Sequence, residues 1–65
     1  MNLIEEIQAE QNRVRELLKA YEAIGPSGMF GTMVLKQAIQ HGDKSIASGD
    51  LGDMLAAHAE LKGCE

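Results

Sequence analysis

Apolar residues in the first third of the chain fall at Leu3, Ile4, Ile7, Val14, Leu17, Leu18, Tyr21 and Ile24. Steps of three and four predict one amphipathic helix over residues 2–24. Asn2 stands at the N-cap position with Glu5 three residues on, and Glu5 and Glu6 suit the positive end of the helix dipole. In a heptad frame Ile7, Val14 and Tyr21 share one position, and Leu3, Glu10, Leu17 and Ile24 another. Glu10 and Gln11 interrupt the stripe, and Glu10 reads as a solvated rim residue. A helix of about 23 residues is about 34 Å long, more than the remaining chain can cover in one layer. The portion around Leu3, Ile4 and Ile7 is therefore expected to stay exposed and to favour pairing between chains.

Gly25-Pro26 ends that helix: glycine takes the left-handed cap conformation cheaply, and proline does not continue the helix. Ser27 is the expected N-cap of a second helix over 28–48. Its apolar set, Met29, Phe30, Met33, Val34, Leu35, Ala38, Ile39 and Ile46, covers more than one face and predicts burial on several sides. Gly42 lies inside this helix, which is read as continuous, with close backbone contact at the glycine. Ser48-Gly49-Asp50 is a turn, with Asp50 capping a third helix over 51–62 whose apolar face is Leu51, Met54, Leu55, His58 and Leu61. No segment alternates with period two. The fold class is thus all-α, a long N-terminal helix plus two shorter ones in a single small domain spanning 1–65.

Size changes this picture. A chain of 65 residues closes only a marginal core unless disulfides, a metal or oligomerisation reinforce it. One cysteine, Cys64, forms no intramolecular disulfide, and His41, His58 and Cys64 have no recognised zinc spacing. Assembly as a homo-oligomeric helical bundle is the expectation that remains, with no metal and no cofactor. The lone cysteine and the lack of a signal peptide or a long apolar run predict a cytoplasmic protein without a membrane partner. A net charge of −4, one Tyr, one Phe and no Trp argue against nucleic-acid binding, although Arg13, Arg15 and Lys19 could form a local basic stripe. The acids are interleaved with bases, so the chain does not read as an acidic DNA mimic. The set Arg13, Arg15, Lys19 and Glu22 is most simply a solvated helix face.

The candidate site is the turn Gly25-Pro26-Ser27-Gly28-Met29-Phe30-Gly31-Thr32. Glycines recur every third residue at a helix start, where free N–H groups and the dipole attract anions. Ser27 and Thr32 add hydroxyls, and Tyr21 could stack on a base. The stretch is neither a Walker A loop nor a dinucleotide fingerprint. Two readings stand: a tight interhelical turn in which Gly28 and Gly31 allow close packing, or a ligand site of Tyr21, Gly25, Ser27, Gly28, Gly31 and Thr32 for a phosphate-bearing molecule. His58 reads as a core or interface histidine and His41 as a solvated or interface residue. Cys64, on a flexible end, lacks a base, and the chain presents no nucleophile–base pair or carboxylate pair, so an enzyme is not expected.

The stretch Arg13–Glu65, with RELLKAYEAIGPSGMFG, ASGD and the ending ELKGCE, resembles small proteins of unassigned function encoded by tailed phages and prophages of proteobacteria. The resemblance covers about four fifths of the chain, and GPSG-x-FG and KGCE are its most specific motifs. It implies a phage-type accessory protein acting in the bacterial cytoplasm and supplies no catalytic residues. The expected function is a helical homo-oligomer that sequesters a phosphorylated ligand, a cyclic or linear nucleotide signal, to counter host defence. The alternative is a protein–protein interaction module that binds and inhibits a host protein.

Overall fold

The computed structural model describes residues 2–65. Helix α1 runs Leu3–Ile24, a 3-10 turn Gly25–Gly28, helix α2 Met29–Ser48 and helix α3 Leu51–Lys62. The caps of α1 and α3 are those the sequence supplies. Asn2 Oδ1 accepts from the Glu5 N–H at 2.8 Å, and Asp50 Oδ1 from the Asp53 N–H at 2.9 Å, each satisfying a donor the first turn leaves free. Gly25 and Gly49 end α1 and α2 at φ +80° and +69°, values that side-chain-bearing residues rarely adopt. Ser27 is not the N-cap of α2. It lies inside the 3-10 turn, and Gly28 holds the cap position without a side-chain bond.

Helical backbone continues for 46 residues from Leu3 to Ser48. Straight, it would span about 69 Å; the molecule is 36 Å in its longest dimension, so α2 folds back along α1 at Gly25–Gly28. Helix α3 then runs parallel to α1. Glu6, Ala9 and Glu10 line a recess with His58 and Lys62, Arg13 reaches the Leu61 carbonyl, and Tyr21 reaches Glu65.

Helix α1 presents Ile7, Gln11 and Val14 to the interior, with Leu18 and Tyr21 half-buried beyond them. Helix α2 answers with Gly28, Gly31, Leu35, Ala38, Gly42 and Ser45, a face of small residues around one leucine in which only Gly31 is not fully buried. Gly42 lies within an unbroken helix, as expected, because the Gln11 amide occupies the space a Cβ would need. Gln11 Nε2 donates to the Ile39 carbonyl and to Asp43 Oδ1, both at 2.9 Å. A buried polar group with its bonds made fixes the register of α1 against α2. Glu10 is half-buried rather than solvated, paired with Arg13 Nε at 2.7 Å.

Three expectations about burial are reversed. Ile7 is fully buried, because α3 packs alongside the N-terminal part of α1 and leaves the opposite end uncovered. Met29, Phe30, Met33 and Val34 are 43–79% exposed, because the small residues of α2 take its inner face. Helix α3 buries Ala57 and Leu61, with Cys64 beyond its end and Met54 half-buried, while Leu51 and Leu55 face outward. Among the described residues, no helix is long and apolar enough to cross a membrane.

Ile7→Ala is expected to lower unfolding free energy by about 2–5 kcal/mol, the range for emptying a buried aliphatic site. Ile4→Ala, at a position 40% exposed, is expected to cost under about 1 kcal/mol. Urea denaturation followed by circular dichroism separates the two.

Candidate functional site

Of the residues singled out in sequence, the fold brings Tyr21, Gly28 and Gly31 into one contact. Gly28 is buried where a Cβ would run into the Tyr21 backbone carbonyl, and a Cβ on Gly31 would enter the Tyr21 ring. The Tyr21 hydroxyl donates to the Glu65 carbonyl at 2.5 Å. Glycine spacing at the turn therefore seats α1 against α2, and the Tyr21 ring would have to leave Gly31 to stack on a base. Gly25 and Ser27 lie apart from this contact, exposed in the turn, while Thr32 is half-buried on α2.

The turn offers an anion little. The Gly25 N–H donates to the Glu22 carbonyl and the Met29 N–H to the Pro26 carbonyl, so two amides are used locally. Lys36, the only lysine or arginine between Lys19 and Lys44, lies 3.9 Å from Glu22. The N-terminal half of the chain does not present a free basic stripe either. Arg13 and Lys19 sit on Glu10 and Glu16, and Arg15 donates to Asn12.

Arg13 is the residue whose role the sequence conceals. Its Nη1 donates to the Cys64 carbonyl at 3.1 Å and its Nη2 to the Leu61 carbonyl at 2.8 Å. A planar fork from α1 thus reaches two carbonyls at the end of α3, adding a second donor to that of Leu61, which already accepts from the Cys64 N–H at 3.1 Å. With the Tyr21 bond, this ties Gly63-Cys64-Glu65 to the bundle, and Cys64 is buried rather than flexible. Burial pushes its thiol above the usual range, the Glu60 carboxylate adds to the rise, and Arg13 opposes it. The thiol is thus held protonated at neutral pH, the opposite of what a nucleophilic cysteine needs.

Two recesses escaped the sequence reading. One, of about 410 Å³, lies between α2 and α3 beside His41, Lys44, Ser48, Asp53 and Glu60. His41 Nδ1 is 2.8 Å from Glu60 and Ser48 donates to Asp53 at 3.3 Å, so most of its polar groups are already paired. The other, about 370 Å³ and mainly apolar, opens at the turn end between Phe30, Val34 and the Cys64-Glu65 segment. Phe30 on its rim is 79% exposed, and Ile24, Met29 and Met33, close to it in sequence but outside the groove lining, are each more than half exposed. At the opposite end of α2, Leu51 and Leu55 form a smaller apolar pair on α3, 62% and 52% exposed, with Asp50 and Asp53 beside them in sequence. His58 lies half-buried at the α1–α3 recess. Among the described residues, no group of three or more His, Cys, Asp or Glu is placed to hold a metal ion. Family models, curated protein sequences and solved structures give no match to this chain.

Gly28→Ala is expected to destabilise the fold by about 2–3 kcal/mol although alanine is the better helix former by about 1 kcal/mol, because the Tyr21 backbone blocks the methyl. Thermal unfolding of the variant checks this. Cys64 is expected to react with a thiol reagent at pH 8 at least about tenfold more slowly in the native chain than in urea. The raised thiol pKa also implies a pH-dependent stability. The contribution is complete below the ordinary thiol value of 9.0 and is lost as pH climbs through the folded value. Urea titrations between neutral and alkaline pH should lose this component of the slope in Cys64→Ala.

Proposed function

We propose that the chain is a protein-interaction module that works through apolar surface rather than through a bound small molecule or a reaction. The observation that carries this reading is the exposure of large apolar side chains in two groups at opposite ends of α2: Ile24, Met29, Phe30, Met33 and Val34 at one end, Leu51 and Leu55 at the other. Monomeric soluble proteins rarely leave a contiguous apolar patch of more than a few hundred Å² uncovered, and larger ones mark contact sites. Methionine and phenylalanine with few charges is the composition of an interface centre. On the resemblance to phage-encoded proteins, the target proposed is a protein of a bacterial host, bound and blocked by contact.

The other reading, sequestration of a phosphorylated ligand at Gly25–Thr32, draws support only from the exposed Gly25 and Ser27. The glycines at its centre are taken up by Tyr21, and no unpaired cation stands in the turn.

Affinity capture from bacterial lysate, run in parallel with the wild type, Phe30→Glu and the double variant Leu51→Glu/Leu55→Glu, tests the proposal. The same partner should be recovered with the wild type and its capture reduced at least about tenfold by a charge in one apolar group. No reproducible partner, or one held equally by all three proteins, would count against it. Calorimetric binding of a nucleotide at tens of micromolar, lost in Gly25→Asp, would move the assignment to the phosphate reading.

A further inference from the structure

We infer that the turn-end apolar surface is covered by a second copy of this chain, forming a two-fold dimer in which Phe30 of each copy enters the groove of the other. This rests on the interaction reading and names the occupant of one of its two surfaces.

Self-complementarity is the first observation. A two-fold contact uses the same patch on both partners, so the patch must hold both a projection and a recess to receive it. The turn end holds both. Phe30 projects at 79% exposure, Met29 and Met33 flank it one helical turn apart, and the groove of about 370 Å³ opens beside them between Val34 and Cys64.

Area points the same way, and charge sets the cost. The five side chains present on the order of 500 Å² of apolar surface, so two facing copies would bury on the order of 1,000 Å², the lower bound for a specific interface. The chain carries a net charge of −4, which opposes self-association in general. No charged residue occurs between Glu22 and Lys36, so the projecting helix face brings no charge of its own, whereas the groove that receives it carries Glu60 and Glu65 on its walls, a like-charge cost that the apolar contact must outweigh. Glu22 and Lys36, paired at 3.9 Å, stand just outside that stretch.

The need for a partner that is always present is the third observation. The largest fully buried side chains of one chain are Ile7, Leu61 and Val14. The exposed set at the turn end contains more large apolar side chains than that. A chain of this size is marginal by itself, and a second copy supplies the missing burial wherever the protein is made. The pair Leu51 and Leu55, at the other end of α2, stays open in such a dimer for a different partner.

Sedimentation equilibrium or native mass spectrometry of the full chain tests the inference. The wild type should be a dimer. Phe30→Glu should weaken it at least about 30-fold in Kd, the effect of losing a central anchor, and should keep the helical circular dichroism because Phe30 is exposed within one chain. Leu55→Glu should leave the dimer intact. A wild type that stays monomeric at every concentration, or an assembly indifferent to Phe30→Glu or dissociated by Leu55→Glu, would overturn it. The interaction reading is judged separately: a monomer that still loses its captured partner in Leu51→Glu/Leu55→Glu refutes the dimer and leaves that reading standing.

Discussion

The contact on which the rest of the molecule depends is the close seat of α1 on the small-residue face of α2. At Gly28 the α1 backbone itself comes so near that a methyl group has no room, and at Gly31 and Gly42 the spaces hold the Tyr21 ring and the Gln11 amide. Each glycine costs helix propensity, about 1 kcal/mol relative to alanine, and the packing of α1 must outweigh it. The same seat directs two further side chains. Tyr21 lies across Gly31 with its hydroxyl on Glu65, and Arg13, two turns earlier on α1, reaches the carbonyls of Leu61 and Cys64. The end of α3 is thus held by polar bonds from α1.

Turning small residues inward turns large ones outward. Methionine, phenylalanine and valine in the first turns of α2 would ordinarily fill a core, yet the inner positions there belong to Gly28, Gly31 and Leu35. Helix α3 follows α1 from its N-terminal part and reaches the turn end only through Cys64 and Glu65, so no helix covers Phe30 or Met33. The apolar surface is thus a product of how the bundle closes, and it links fold to function. The proposed interaction rests on that surface, where burial would be completed against another molecule.

The caps at Asn2, Asp50, Gly25 and Gly49 were legible from sequence, because they act through local backbone geometry that needs no tertiary context, whereas Ser27, expected to cap α2, lies inside the 3-10 turn. The α1 stripe was legible at Val14, whereas Ile7, expected to stay exposed, is fully buried. What misled was hydrophobicity as a guide to the inner face of α2. Glycine, alanine and serine at 28, 31, 38, 42 and 45 keep helical spacing but score as neutral, whereas Met29, Phe30, Met33 and Val34 score as core. The spacing itself was present and could have been read as a packing face. At the candidate site Tyr21, Gly28 and Gly31, grouped from the sequence as ligand-site residues, meet in a helix-packing contact. The Arg13 fork could not be read, since its acceptors lie 48 and 51 positions away and depend on α3 running parallel to α1.

Nuclear magnetic resonance of the full chain, observing the Tyr21 ring protons and the Gly31 α-protons together, tests this arrangement most directly. The ring lying on Gly31 predicts strong cross-relaxation between them and Gly31 α-protons displaced well upfield by the ring current. A Tyr21 ring with no cross-peak to Gly31, and α-protons at ordinary positions, would contradict the close seat of α1 on α2 and the outward placement of Phe30 and Met33 that follows from it.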